Sequence, residues 1–173
     1  MTGYAIRPAT PADEEVLASL GAGTFVATFG HLYARENLEK FLEKNHSRHA
    51  YRALLEDPSY ATWIAETETG AAVGYAVAGP CTLPVPDMPA NSGELVRLYL
   101  VDEAKGAGLG GRLLDTSLDF LRRRFSSIYL SVYRDNLIAQ RLYSRAGFVK
   151  IHDYFYMVGD HADPEYIMEL KSR

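Results

Sequence analysis

The chain has 173 residues, 47% of them hydrophobic, enough for one well-buried core and short for two, so a single domain over residues 1–173 is expected. A formal charge of −4 argues against nucleic acid as the main partner and suits a cationic substrate. One cysteine, Cys81, excludes an intrachain disulfide, and no Cys/His cluster has zinc spacing. No run approaches the roughly 20 apolar residues of a membrane span, and the start, MTGYAIRPAT, lacks signal-peptide features, so a cytoplasmic, metal-independent protein is the default expectation.

Tyr4 to Arg7 is a strand candidate. Thr10-Pro11-Ala12-Asp13 has the chemistry of a helix start, and an apolar stripe (Val16, Leu17, Leu20, Phe25) continues it to about Phe29 across Gly21 and Gly23. Further helices are predicted over Arg35 to Asn45 and His49 to Leu55, and these first 58 residues are expected to cover a sheet edge. Ala61 to Glu66 and Ala72 to Ala78, joined by Thr67-Glu68-Thr69-Gly70, form a predicted antiparallel hairpin. Four prolines then mark Gly79 to Ser92 as a surface loop able to rim a site.

A strand from Leu95 to Val101 leads through Lys105-Gly106-Ala107-Gly108-Leu109-Gly110-Gly111 into a long helix, whose leucines at 109, 113, 114, 118 and 121 have core spacing. Ser127 to Val132 is the next strand, Asn136 to Arg145 a helix capped by Gly147, and Val149 to Tyr156 and Tyr166 to Leu170 are closing strands around an acidic connection, Gly159 to Glu165. The predicted fold class is α/β: a mixed, largely antiparallel sheet of about six to seven strands with helices on both faces.

The glycine cluster carries the first chemical signal. Amides at a helix start lack intrahelical partners and lie at the positive end of the helix dipole, so they favour an anion such as a diphosphate. A nucleotide-triphosphate loop is excluded, because no G-x-x-x-x-G-K-S/T string occurs. Gly106, Gly108 and Gly111 fit G-x-G-x-x-G, yet they lie past mid-chain rather than after a first strand, which disfavours a dinucleotide site.

Two blocks together resemble the GNAT superfamily of N-acetyltransferases. Lys105 to Gly110 is similar to its cofactor motif, R/Q-x-x-G-x-G/A, with lysine at the first position, and Asp135 to Phe148 is similar to its D-N-x-x-A-x-x-L-Y-x-x-x-G-F block. Thr24 to Phe29, Glu94 to Tyr99 and Phe155 to Asp160 extend the resemblance to the bacterial spermidine/spermine N-acetyltransferases of the PaiA type, with Val158 as an extra residue.

The resemblance implies acetyl transfer from acetyl-CoA to a small-molecule primary amine, with no metal and no covalent enzyme intermediate. It places the CoA diphosphate on the loop Lys105, Gly106, Ala107, Gly108, Leu109, Gly110 and Gly111. It lays the pantetheine arm along main-chain groups of Leu98, Tyr99 and Leu100, with one amide facing the thioester oxygen. Asn136 is the implied pantetheine contact, although an Asp-Asn pair before a helix also suits capping. Tyr143 is the implied general acid, although a helix tyrosine equally suits the core.

Glu94 is the candidate base; alternation puts it on one face with Val96, Leu98 and Leu100, and the alternative is an exposed carboxylate paired with Arg97 or Arg112. His31, His46 and His49 are expected at the surface. Asp153, Asp160, Asp163 and Glu165 suit either polycation attraction or loop solvation. Acetylation of a peptide or protein amine, an amino acid or an antibiotic, and a non-catalytic CoA-binding module, remain open alternatives. Homodimers are common in the family, and no residue here predicts which surface would pair.

Overall fold

A computed structural model describes residues 3–171 and contains one seven-stranded sheet in the order β1-β2-β3-β4-β5-β7-β6. The strands are β1 (Tyr4–Pro8), β2 (Ala61–Thr67), β3 (Ala72–Pro80), β4 (Ser92–Leu100), β5 (Ser127–Tyr133), β6 (Phe148–Val158) and β7 (His161–Leu170). The helices are α1 (Glu14–Phe29), α2 (Arg35–Asn45), α3 (Arg48–Glu56), α4 (Leu109–Arg124) and α5 (Leu137–Ala146). Every strand pairing is antiparallel except β4 with β5, as the α4 crossover between them requires.

The entry to α1 is fixed by one carboxylate. Asp13 accepts from the Thr10 amide at 2.8 Å and pairs with the Arg7 guanidinium at 2.9 Å, tying the helix start to β1. On one face of the sheet Leu17, Leu20 and Tyr51 pack on Ile64, Tyr75 and Val77. The N-terminal helices α1 and α3 therefore cover a sheet face, not the edge expected from sequence. Gly21, a weak point for a helix by propensity, is where that packing closes: a Cβ there would collide with the Tyr51 hydroxyl.

On the other face Leu114, Leu118 and Leu121 of α4 pack with Leu95, Ile128, Leu130 and Val132, while Leu109 and Leu113 pack with Ala65 and Ala76. The leucine stripe of α4 is core, as its spacing implied. Arg122, Arg123 and Arg124 sit in its last turn, where cations complement the dipole.

Two boundaries differ from expectation. β3 extends to Pro80 and β4 begins at Ser92, so the irregular loop is shorter than predicted. The acidic connection before Tyr166 is mostly strand: β6 and β7 turn at Gly159, with φ 61°, and pairing resumes at Val158 with His161. Pro164 is tolerated inside β7 because its carbonyl accepts from the Arg134 amide, so its nitrogen faces the β5 side and no β6 rung is lost.

Candidate active site

The site begins where the sheet splits. β4 and β5 pair only over Ser92–Leu95 with Ser127–Leu130; beyond that β4 runs on to Leu100 and β5 to Tyr133 without pairing each other. At the same place the β3–β4 register shifts, Val77 facing Arg97 and Ala78 facing Leu95, which leaves Val96 as a bulge. The bulge breaks the alternation expected for β4. Leu95 and Leu98 pack on the α4 side, Val96 and Tyr99 on the α1 side, so Glu94 and Leu98 do not share a face.

A cleft of about 580 Å3 passes through this fork. Its lining includes Glu94, Leu98, Tyr99, Leu100, Lys105, Gly110, Asn136 and Tyr143, so most of the residues expected from sequence meet in one place. Gly106, Ala107 and Gly108 form the exposed loop at its end, and Gly111 follows on α4. Leu109 has a buried side chain in the core, leaving only its backbone for the loop.

The loop is shaped for close approach. Gly106 and Gly108 have φ of 85° and 79°, conformations that disfavour any other residue, and a Cβ on either would project into open space rather than into protein. Gly108 is the N-cap of α4 and supplies no side-chain oxygen to its first amides. These donors and the neighbouring Lys105, which pairs with Asp102 at 2.7 Å, fit a phosphate group. Gly110 has an ordinary φ and room for a Cβ against Leu142 and Leu100.

Asn136 does cap α5, its side chain accepting from the Ala139 amide at 3.2 Å, and it also lines the cleft. Tyr143 is 8% exposed, its ring edge-on to Phe148 with centroids 6.1 Å apart. Burial pushes its phenol above the ordinary tyrosine range, and the charge of Glu165 adds to that shift.

The opposite wall comes from α1, α2, the loop after β3 and strands β6 and β7. Glu94 is 6% exposed, so it is not the surface carboxylate that an ion pair with Arg97 or Arg112 would have implied. Its carboxylate accepts from the Thr82 amide at 3.0 Å. Burial outweighs that hydrogen bond and raises its pKa to about 7. Arg112 instead donates to the Tyr4 carbonyl at 3.1 Å.

Three residues on this wall depart from expectation. His46 is buried, within 2.8 Å of the Tyr51 hydroxyl, and burial beside Arg97 lowers its pKa to about 3, so it is neutral. Asp163 is buried in β7, bonded to the Tyr33 hydroxyl and to His161 Nε2, rather than solvated in a loop. Glu165 accepts from Ser131 Oγ at 2.5 Å and faces the cleft, with its pKa raised to about 7 by burial. Only the acidic cluster signalled Glu165 in the sequence; its spacing within a presumed loop concealed that it occupies a strand.

A sequence model of the Acetyltransferase (GNAT) family matches residues 27–148, a span that contains the fork, the glycine loop and α5. The chain belongs to this GNAT family. It is 31% identical over 163 residues to an uncharacterised N-acetyltransferase of Mycobacterium tuberculosis, covering 92% of this chain and 96% of that one. A second uncharacterised N-acetyltransferase, from Lactobacillus delbrueckii subsp. lactis, is 23% identical over 170 residues, 98% of each chain. The GNAT fold is also that of the PaiA N-acetyltransferase from Thermoplasma acidophilum, crystallised with coenzyme A, at a TM-score of 0.76 and 21% identity, covering 98% of this chain and 99% of that one. The protein is thus an acetyl-CoA-dependent N-acetyltransferase acting on an amine acceptor. Among its described residues no helix is long and apolar enough to cross a membrane.

Proposed function

We propose that this single catalytic domain acetylates a small cationic primary amine, of the polyamine class, by direct attack within a ternary complex. The observation that carries the reading is the composition of the acceptor wall: Glu94, Asp163 and Glu165 converge on one cleft with Tyr143 and the glycine loop. The PaiA-type resemblance of the sequence supports the same acceptor class.

In this reading the loop amides from Lys105 to Gly111 hold the CoA diphosphate, and the unpaired edge of β4 from Leu98 to Leu100 receives the pantetheine arm as an added strand. One β4 amide, that of Leu98, donates to the thioester oxygen as charge develops on it. The acceptor arrives protonated, since an amine of pKa about 10.4 is an ammonium at neutral pH. A carboxylate of the acceptor wall, for which Glu94 is the candidate the sequence singles out, takes up its proton, directly or through water, and Tyr143 protonates the leaving thiolate. Burial keeps Tyr143 in its phenol form until that step.

Arg97 favours a second reading. Its guanidinium lies 5.2 Å from the Tyr51 ring centroid, lines the cleft, and leaves Nη1 buried without a hydrogen-bond partner. Such a donor suits the carboxylate of an amino acid or peptide acceptor. Thiol release from acetyl-CoA across spermidine, spermine, free amino acids and short peptides separates the two. Saturable turnover of spermidine and spermine is expected; selective turnover of the carboxylate-bearing acceptors would transfer the assignment to the second reading, and CoA binding without turnover of any amine would overturn catalysis.

A further inference from the structure

Two carboxylates line the cleft at different levels of the sheet, Glu94 beside Tyr129 of β5 and Glu165 beside Tyr133. Glu94 is attached to the loop after β3, through Thr82, and its charge is felt at Cys81 and Tyr60. Glu165 is attached to the fork. Ser131, its hydrogen-bond partner, is the residue of β5 immediately after the last pair, Leu95 with Leu130, that joins β4 to β5. Ser131 Oγ is also 2.6 Å from the Tyr154 hydroxyl, so the carboxylate is held by a side chain that β6 in turn orients.

We infer that Glu165, held by Ser131 at the point where β4 and β5 part, rather than Glu94, is the group that receives the acceptor ammonium and takes its proton. The inference rests on the acetyl-transfer reading above. Its step balances: one ammonium proton passes to the Glu165 carboxylate, and the freed nitrogen lone pair attacks the acetyl carbon. As the tetrahedral species collapses the C–S bond breaks, sulfur takes the phenolic proton of Tyr143, and the acylated nitrogen returns a proton to Tyr143. Glu165 then releases its proton to solvent.

The surroundings of Glu165 agree with this task. Tyr99 of β4 and Tyr143 of α5 feel the charge of Glu165, while Tyr154 and Tyr156 of β6 feel both Glu165 and Glu94. The remaining groups that face it are Tyr33 and Asp163 of its own strand, with Arg134 and Asp153 on its outer rim. Among these, Asp163 is the charge that raises its basicity further, and the Ser131 bond lowers it. A carboxylate at about 7 instead of 4.5 is a base stronger by roughly 300-fold, which narrows the gap to an ammonium at about 10.4.

The test uses the full chain, saturating acetyl-CoA and whichever amine gives the fastest thiol release. In the wild type, kcat rises with pH through a limb near 7. Glu165→Gln lowers kcat by about 10²-fold or more and removes that limb, with acetyl-CoA affinity by calorimetry unchanged. Ser131→Ala removes a bond that favours the ionised carboxylate, so it moves the limb to higher pH; a purely structural Glu165 would leave the limb in place. This second variant also decides the matter if Glu165→Gln fails to fold. Wild-type kcat and an unmoved limb in either variant, or a limb lost in Glu94→Gln and kept in Glu165→Gln, overturn the inference while acetyl transfer stands. A wild type that binds acetyl-CoA and turns over no amine overturns the acetyl-transfer reading, and the inference with it.

Discussion

The two walls of the cleft are built in different ways. The wall proposed for the donor comes from consecutive stretches, Leu98 to Gly111 and Asn136 to Tyr143, and relies on backbone: a free strand edge, a glycine loop and the first turn of α4. The wall proposed for the acceptor joins side chains far apart in the chain, as when Tyr33 meets Asp163 and Ser131 meets Glu165. A backbone site tolerates varied side chains around it and recognises the common part of every reaction. A side-chain site carries whatever distinguishes one acceptor from another, and one substitution can change it.

Substitutions on each wall sharpen that contrast. The largest effect belongs to the glycine loop: Gly108→Glu places a carboxylate at a left-handed position beside the proposed phosphate site, and calorimetry should find no saturable acetyl-CoA binding, with the circular dichroism of the fold retained. Retained binding would remove the loop from the donor site.

The acceptor wall should show itself in stability. Glu94 has a folded pKa of about 7 against an unfolded value near 4.5, so the folded state holds the proton more tightly. Its contribution is complete below pH 4.5 and is lost as pH rises through 7, an effect of about 3 kcal/mol at most. Glu165 adds a decline of the same sign and His46, with its lowered pKa, opposes both below pH 6.5, so the readout is the difference between wild type and variant: in denaturant melts from pH 4.5 to 8, Glu94→Gln should lose less stability than the wild type. An equally steep curve in the variant would show that the carboxylate is not desolvated.

Tyr143→Phe tests the boundary between the walls. Thiol release should fall by about 10²-fold with acetyl-CoA affinity kept, and unchanged turnover would return Tyr143 to a core role beside Phe148. The smallest effect is expected at Asn136, whose cap on α5 is worth about 1 kcal/mol; Asn136→Ala should lower Tm by that equivalent, and an additional loss of acetyl-CoA affinity would separate donor contact from capping.

The same contrast explains what could be read from the chain. The fold class, the leucine face of α4, the cap at Gly147 and the strand-loop-helix holding the glycines all depend on interactions within one or two turns of chain, and local spacing records them. The β4 bulge does not: alternation assigned Glu94 and Leu98 to one face, and only the partner strand β3, through the Val77 to Ala78 shift, shows that Val96 is an extra residue. His46 looked like a surface residue because its burial is supplied by Phe25, Phe41 and Tyr51 from three helices. Glu165 was concealed by Pro164 and its acidic neighbours, which suggest a turn unless the orientation of the Pro164 carbonyl toward β5 is known.

The fork has a structural consequence of its own. Ser92 to Leu95 is the short seam between the two halves of the sheet, and past it the inner edges of β4 and β5 are sheet left unfinished. A pantetheine arm laid against Leu98 to Leu100 would take the place of missing strand backbone, so the donor is at once reactant and building material. Stability would then track the donor pool: at 100 times its Kd, bound donor adds about 2.7 kcal/mol to the folded state. A cell that depletes acetyl-CoA and CoA together would lower the protein's resistance to unfolding along with its rate.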